Sequence, residues 1–332
     1  MIKGINDFQQ IFFIGIAGVG MSAIAQYLAG TGKAVSGSDR YFVPGQVNET
    51  REKLEAAGIQ CFLQNGEGIS PQTHLVVIST AVEEQVEELV KAKHLQIPIL
   101  RRSELLAMIA KSKRTIAIGG TSGKSTTCAM LFSIMEYAGY LPSIISGAGL
   151  TSIIKENKIG NAKVGAGEWL VIEADESDGS IVQYEPEIGV LLNIDKDHQE
   201  IDELLQLFSV FRDNSKYFVV NRSHSLAKNL FDKTGRDFST EEGCDAYYIA
   251  KDFVQDGLSI NFSVRGAAFS IPAIGRHNME NALAAIAVAD MIGISQEQAL
   301  RLYSIMRVST AGTRYWDKKM ESGLLTIMHI TR

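Results

Sequence analysis

Apolar residues come along this chain in short runs separated by amphipathic stretches. Ile11–Ile14, Ala34–Ser36, Leu75–Ser79 and Ile97–Leu100 have strand length, and turn residues bound them. Between them, 21–29, 51–57 and 83–93 carry helical patterns. Strand and helix thus alternate over the first hundred residues, the βαβ signature of a parallel sheet. This predicts a small Rossmann-like domain over residues 1–108. A second α/β unit opens with the strand Thr115–Ile118, and its first helix sets Met130, Leu131, Ile134, Met135 and Ala138 on a 3.6-residue period. Further strands are expected at Leu170–Ala174, Ile188–Ile194 and Tyr217–Val220. A small added β segment is expected over Tyr247–Ala273, with turns at Gly257 and Gly266, then an alanine-dense helix over 279–291. These elements make a central domain over residues 109–307. The last stretch, 308–332, holds one strand-like run, Leu324–Met328, and a single strand cannot form a domain.

The chemistry is concentrated where strands run into helices. Gly120-Thr-Ser-Gly-Lys-Ser125 lies between an apolar strand and an amphipathic helix. Glycines there let backbone N–H groups turn onto phosphate oxygens, and the helix N-terminus adds partial positive charge. Lys124 would reach the β- and γ-phosphates, and the Ser125 hydroxyl would ligate Mg²⁺. The loop is the short GxxGK[ST] form, for which a chance match in a chain this long is about one per cent. The fold class expected is therefore α/β, a Rossmann-like domain followed by a P-loop-type ATPase domain with a parallel sheet.

A second glycine loop, Gly15-Ile-Ala-Gly-Val-Gly20, misses the middle glycine of GxGxxG. Asp39 ends the second strand, where a dinucleotide fold places its ribose-binding acid. An NAD site is one reading; another diphosphate-bearing nucleotide would use the same loop equally well. Past the strand at Leu170, the acids Glu173, Asp175, Glu176 and Asp178 fall at a sheet's carboxyl edge. Glu173 suits Mg²⁺ ligation, while the other three are also readable as a solvated charge run. Asn193-Ile-Asp-Lys-Asp-His198 repeats the arrangement after the next strand. Asn278 and Asn281, three apart, either share one helical face or leave Asn278 as a helix cap.

Composition narrows this further. With 45% hydrophobic and 21% charged residues the chain is a folded globular protein. A net charge of −6 offers no general attraction for nucleic acid or an anionic membrane. No apolar run reaches transmembrane length, and the three scattered cysteines fit reduced thiols in the cytoplasm.

Taken in order along the chain, these motifs resemble the Mur ligase family, ATP-dependent amide-forming enzymes of peptidoglycan synthesis. The resemblance runs from residue 11 to about 316 and is carried by Gly15–Ser22, Ser36–Asp39, Ser79–Ala81, Arg101–Glu104, Gly120–Thr127, Glu173–Asp178, Asn193 with Asp197 and His198, and Gly275–Asn281. It implies the branch that joins L-alanine or a short peptide to UDP-N-acetylmuramate, with ATP and Mg²⁺. It implies that Gly15, Ala17, Gly18, Val19, Gly20, Met21, Ser38, Asp39, Ser79 and Thr80 hold the UDP-sugar. Gly120, Thr121, Ser122, Gly123, Lys124, Ser125 and Thr126 would hold ATP, with Asn278 and Asn281 near the adenine and Arg314 before a third domain. Lys124, Glu173 and His198 would be catalytic, with Ser125, Glu173 and His198 at the metal. In that family ATP phosphorylates a carboxylate, and an amine attacks the acyl phosphate. The family's third domain opens with a strand that Leu325–Ile330 resembles without its two aspartates. The expectation is a truncated ligase that keeps both nucleotide sites and forms the amide poorly; the alternative is a catalytically silent nucleotide-binding protein on the same scaffold.

Overall fold

The fold is given by a computed structural model, which describes residues 4–196, 199–232, 235–301 and 328–329. In chain order the first elements are β1 (Gln10–Ile14), α1 (Val19–Gly30), β2 (Ala34–Ser38), α2 (Glu49–Ala56), β3 (Gln60–Phe62), β4 (Leu75–Ile78), α3 (Glu87–His94), β5 (Ile99–Arg101) and α4 (Arg102–Lys111). Their strands are all parallel, in the order β3-β2-β1-β4-β5. Phe12, Phe13 and Ile14, and likewise Leu75, Val76 and Val77, are buried in succession because the central strands are covered on both faces. The chain order reverses at β1, which pairs with β2 on one side and β4 on the other. Ligands of such sheets bind beyond the carboxyl ends of the strands at that point.

Two elements here are additional to the expected set. β3 is only three residues long, too short to show a period. α4 starts at the residue after β5, with no turn residues to announce it. Its start is marked by Glu104, whose carboxylate accepts the Arg101 N–H at 2.6 Å. α3 begins later than its charge pattern suggests, because the Val86 N–H closes a turn on Glu83 O.

The chain continues through β6 (Arg114–Gly119), α5 (Lys124–Tyr137), β7 (Ser143–Ile145), β8 (Gly149–Leu150), α6 (Thr151–Ile154) and β9 (Ala162–Lys163). Then follow β10 (Trp169–Glu173), β11 (Ile188–Leu191), α7 (Ile201–Asn214), β12 (Tyr217–Val220), β13 (Phe238–Ser239), β14 (Tyr248–Asp256), β15 (Ser259–Val264), β16 (Ala267–Ile271) and α8 (Arg276–Met291). Of the run Leu324–Met328 only Met328 is described, in the strand β17 (Met328–His329).

The described residues pack as two compact units: residues 4–113 with Ser143–Ala166 and His329, and Arg114–Pro142 with those of Gly167–Met328. The first unit thus takes in the chain to Lys113 and an arm, Ser143–Ala166. Within that unit the arm pairs β7 with β9 antiparallel and lies against α1. Asn161 anchors it: Nδ2 donates to Val19 O at 2.8 Å and to Ser22 Oγ at 3.0 Å, and Oδ1 accepts from Gln26 Nε2 at 2.7 Å. An amide buried with its donors and acceptor engaged is a specific fastening. No periodic pattern in 143–166 reports it.

In the second unit β12, β11, β6 and β10 run parallel in that order. β6 is again the strand at which the order reverses, with Ile116, Ala117 and Ile118 fully buried. The alanine-dense α8 is buried almost throughout from Met279 to Ala289 and lies against α5. Small side chains permit that close approach of helices. β13 to β16 form the added sheet, with hairpin turns at Gly257 and at Arg265-Gly266, where backbone φ is positive. No described helix is long and apolar enough to cross a membrane.

α7 is a further addition to the expected elements, although Leu204, Phe208 and Phe211 carry a helical spacing and are its buried face. Its two rings pack beneath Gly119, the last residue of β6. They are thus the floor of the loop that follows. Phe208→Ala removes a fully buried ring and is expected to cost about 3–5 kcal/mol of stability, read as a lower urea midpoint for the transition of the second unit.

Candidate functional site

The loop after β6 turns at Gly120 and enters α5 through Gly123, whose φ is +137° and +82° respectively. Only glycine takes such angles without strain. At Gly123 space adds a second demand, since a Cβ there would lie 2.4 Å from Asn281 Oδ1. No side chain caps α5, so the helix N-terminus is left open as a site for anions.

Asn193, beyond the end of β11, braces this loop. Its Oδ1 accepts from Thr121 Oγ1 and from Ser122 N, each at 2.9 Å, and its Nδ2 donates to Ser122 O at 3.1 Å. Thr121 Oγ1 also accepts the Asp195 N–H at 3.0 Å. Asn281 supports the opposite side, packed against Gly123 and within 3.4 Å of Thr127 Oγ1. Asn278 and Asn281 do share a helix face, with Asn281 Nδ2 3.4 Å from Asn278 Oδ1. Asn278 is not the cap: Gly275 holds that position, and Asn278 Nδ2 donates to Ile274 O at 2.8 Å. Thr126 is half-buried on the first turn of α5.

Two carboxylates meet two consecutive loop residues. Ser125 Oγ donates to Glu173 Oε2 at 2.7 Å, and Lys124 Nζ donates to both oxygens of Glu176, at 3.0 and 2.8 Å. Lys124 Nζ also donates to Gly120 O at 2.7 Å. Glu173 is the last residue of β10, in register with Ile118 of β6, so strand pairing alone brings it to the loop. Burial pushes the Glu176 carboxyl above its ordinary value, with the Lys124 ammonium pulling it the other way. The acidic run divides into two roles. Asp175 accepts the Ser177 N–H and Asp178 the Ser180 N–H, each shaping a turn, whereas Glu176 is only 4% exposed and is not part of a solvated face.

The donors present suit Mg²⁺. A hydroxyl and a carboxylate at 2.7 Å from each other offer hard oxygen ligands beside an open helix N-terminus. His198 and Arg314 lie outside the described residues. Among the described residues no group of three or more His, Cys, Asp or Glu is gathered for a metal.

The first unit has its own loop. Gly15 takes φ +80° after β1, and the N–H groups of Gly15 and Ile16 donate to Ser38 O at 2.8 and 3.0 Å. Asp39, 4% exposed, accepts the Ala17 N–H on Oδ2 at 2.8 Å and the Tyr41 N–H on Oδ1 at 3.0 Å. α1 starts after Gly18 with no side-chain cap. Gly15, Ala17, Gly18, Asp39 and Ser79 line one cavity of about 360 Å³, together with Arg40 and Gln64. Val19 lines a second, of about 510 Å³, with Ser22 and Asn161. Gly20 lies under the Arg102 side chain. Met21 and Ser38 are buried in the unit's core, and Thr80 is exposed.

Glu176 and Asn193 stand in the quoted motifs without a role of their own, and the structure gives them one, as the partner of Lys124 and the brace of the loop. Both follow an apolar strand at the sheet's carboxyl edge, the position that singles out their segments in the sequence without saying which side chain reaches the loop.

Family profiles match both regions. That of the Mur ligase family, catalytic domain, covers residues 10–114, and that of the Mur ligase middle domain covers residues 118–289. The chain is similar to the UDP-N-acetylmuramate–L-alanine ligase of Mesorhizobium japonicum, at 33% identity over 308 residues, 86% of this chain and 64% of that protein. It is similar to the enzyme of the same name from Geotalea uraniireducens, at 36% identity over 304 residues, 87% of this chain and 64% of the other. It thus spans about 64% of the length of these curated relatives. Among solved structures, UDP-N-acetylmuramate–alanine ligase from Thermotoga maritima superposes with a TM-score of 0.77 at 25% identity, covering 90% of this chain and 68% of that one. The fold is also that of UDP-N-acetylmuramate:L-alanyl-gamma-D-glutamyl-meso-diaminopimelate ligase from Neisseria meningitides, with a TM-score of 0.74 at 24% identity, covering 89% of this chain and 97% of that one. With a middle-domain match that takes in the phosphate loop, both strand-end acids and most of α8, the chain belongs to the Mur ligase family.

Proposed function

We propose that this chain serves ATP-dependent amide formation on UDP-N-acetylmuramate in the cytoplasm, with L-alanine or a short peptide as the amine. The UDP-sugar is assigned to the Gly15–Met21 loop and ATP with Mg²⁺ to the Gly120–Thr126 loop. The observation that carries the reading is the pairing of Lys124 and Ser125 with Glu176 and Glu173 at an uncapped helix N-terminus. That arrangement is built for a phosphate chain and a hard cation.

Each residue has a task in this chemistry. A carboxylate is a poor electrophile, so its oxygen takes the γ-phosphoryl group of ATP, and ADP leaves. The amine then attacks the acyl carbon, and phosphate departs as the amide forms. Lys124 and the N–H groups of α5 offset the negative charge that gathers as two anions approach. Ser125 and Glu173 would hold Mg²⁺, which supplies further charge neutralisation when bound. Asn193 and Asn281 keep the loop in shape from its two sides. No covalent link to the protein is required. Both Asp39 oxygens already accept backbone N–H groups, which favours a nucleotide whose diphosphate, rather than whose ribose, is the main anchor.

The two sites are separable by mutation. Lys124→Ala is expected to abolish the rise in melting temperature produced by ATP with Mg²⁺ while leaving that produced by UDP-N-acetylmuramate intact. Asp39→Ala is expected to do the reverse, because the loop loses the acceptor of the Ala17 N–H; the lost charge-assisted hydrogen bonds should also cost the first unit about 1–3 kcal/mol. Stabilisation by NAD in place of the UDP-sugar would overturn the assignment. Phosphate release with UDP-N-acetylmuramate, ATP and L-alanine tests the reaction itself. Binding of both nucleotides with no release under any amine favours the silent binding protein instead.

A further inference from the structure

Lys124 is fully engaged within its own loop and with one carboxylate. Its ammonium has three donors, and Gly120 O and the two Glu176 oxygens accept them at 2.7, 3.0 and 2.8 Å. Glu176 is held from its backbone as well: its carbonyl accepts the Gly179 N–H at 2.9 Å and Gln199 Nε2 at 3.2 Å. The side chains of the pair are 16% and 5% exposed, so water screens the attraction little. With three acceptors on its three donors, the ammonium has no donor left for a further acceptor.

We propose that Glu176 is a positioning residue for Lys124, an internal anion that keeps the ammonium over the loop until a nucleotide phosphate takes its place. This rests on the reading of Gly120–Thr126 as a nucleotide site. Three features separate Glu176 from the other acids of the run. Glu173 is engaged by the Ser125 hydroxyl, Asp175 and Asp178 accept backbone N–H groups of their own turns, and Glu176 forms an ion pair with Lys124. The pair stabilises the loop, since a buried ammonium without a partner is costly. The same pair opposes binding, because an incoming phosphate must displace one anion from Lys124 and then lie near it. Removing the charge while keeping the shape therefore tightens nucleotide binding, whereas a residue needed only for packing would weaken it when changed.

The test is calorimetric titration of ADP into wild-type protein, Glu176→Gln, Lys124→Ala and the double variant. Glu176→Gln is expected to bind ADP about tenfold more tightly than wild type, the scale of one partly buried ion pair. In the Lys124→Ala background the same substitution is expected to change affinity less than about twofold. Adenosine, which carries no phosphate, should bind wild type and Glu176→Gln alike. Glu176→Asp, which keeps the charge but withdraws it by one methylene, should fall between the two and serves if the glutamine variant does not fold. Equal or weaker ADP binding by Glu176→Gln and Glu176→Asp, with wild type binding normally, would overturn the inference alone; so would equal tightening in the Lys124→Ala background. Failure of wild type to bind ADP would overturn the nucleotide reading of the loop, and the inference with it.

Discussion

Two neighbouring residues at the head of α5, an ammonium and a hydroxyl, each meet a carboxylate from the end of β10, and much of the second unit is arranged to make that meeting possible. The register of β10 on β6 sets Glu173 opposite Ile118, one residue short of the loop. The chain then needs three residues to turn back, which delivers Glu176 to Lys124. A helix N-terminus without a capping side chain is otherwise a cluster of unmet N–H donors. Here two carboxylates at the carboxyl edge of the sheet set negative charge beside it.

The same solution is used twice, with different braces. In each unit a glycine loop leaves the strand at which the sheet order reverses and enters a helix that no side chain caps. Parallel strands point their carboxyl ends one way, and the reversal opens the crevice there. Behind the first loop lies the buried carboxylate of Asp39, which takes the Ala17 N–H. Behind the second lies the neutral amide of Asn193, which takes the Ser122 N–H and returns a donor to Ser122 O. An anion fixed behind a loop offsets part of the helix's positive end, and an amide does not.

Much of this was legible along the chain. The apolar runs that became β1, β4, β6, β10, β11 and β12 are continuous because both faces of a parallel sheet are covered, and the hairpin turns at Gly257 and Gly266 carry their glycines openly. The glycines at 15, 120 and 123 sit where backbone angles exclude other residues, so spacing alone exposes them. β3 and α4 escaped because one is too short to show a period and the other starts without a turn. α7 carries its period plainly, but short apolar spacing among polar residues does not separate a floor helix from a surface one.

By itself the sequence determined the long apolar strands in their order, the two phosphate-type loops and the strand-end positions of the acids, because each of these is a pattern written within about twenty consecutive residues. Only the tertiary structure decided which acid belongs to Lys124, since its partner lies 52 positions away and the three neighbouring acids look alike in one dimension. It likewise decided that Asn193, 71 positions from Ser122, is the loop's brace. The arm Ser143–Ala166 was assigned to the first unit by Asn161, whose partners on α1 lie more than a hundred positions earlier. In each case the deciding quantity is the direction in which a side chain points after a strand or turn, and packing across the sheet sets that direction.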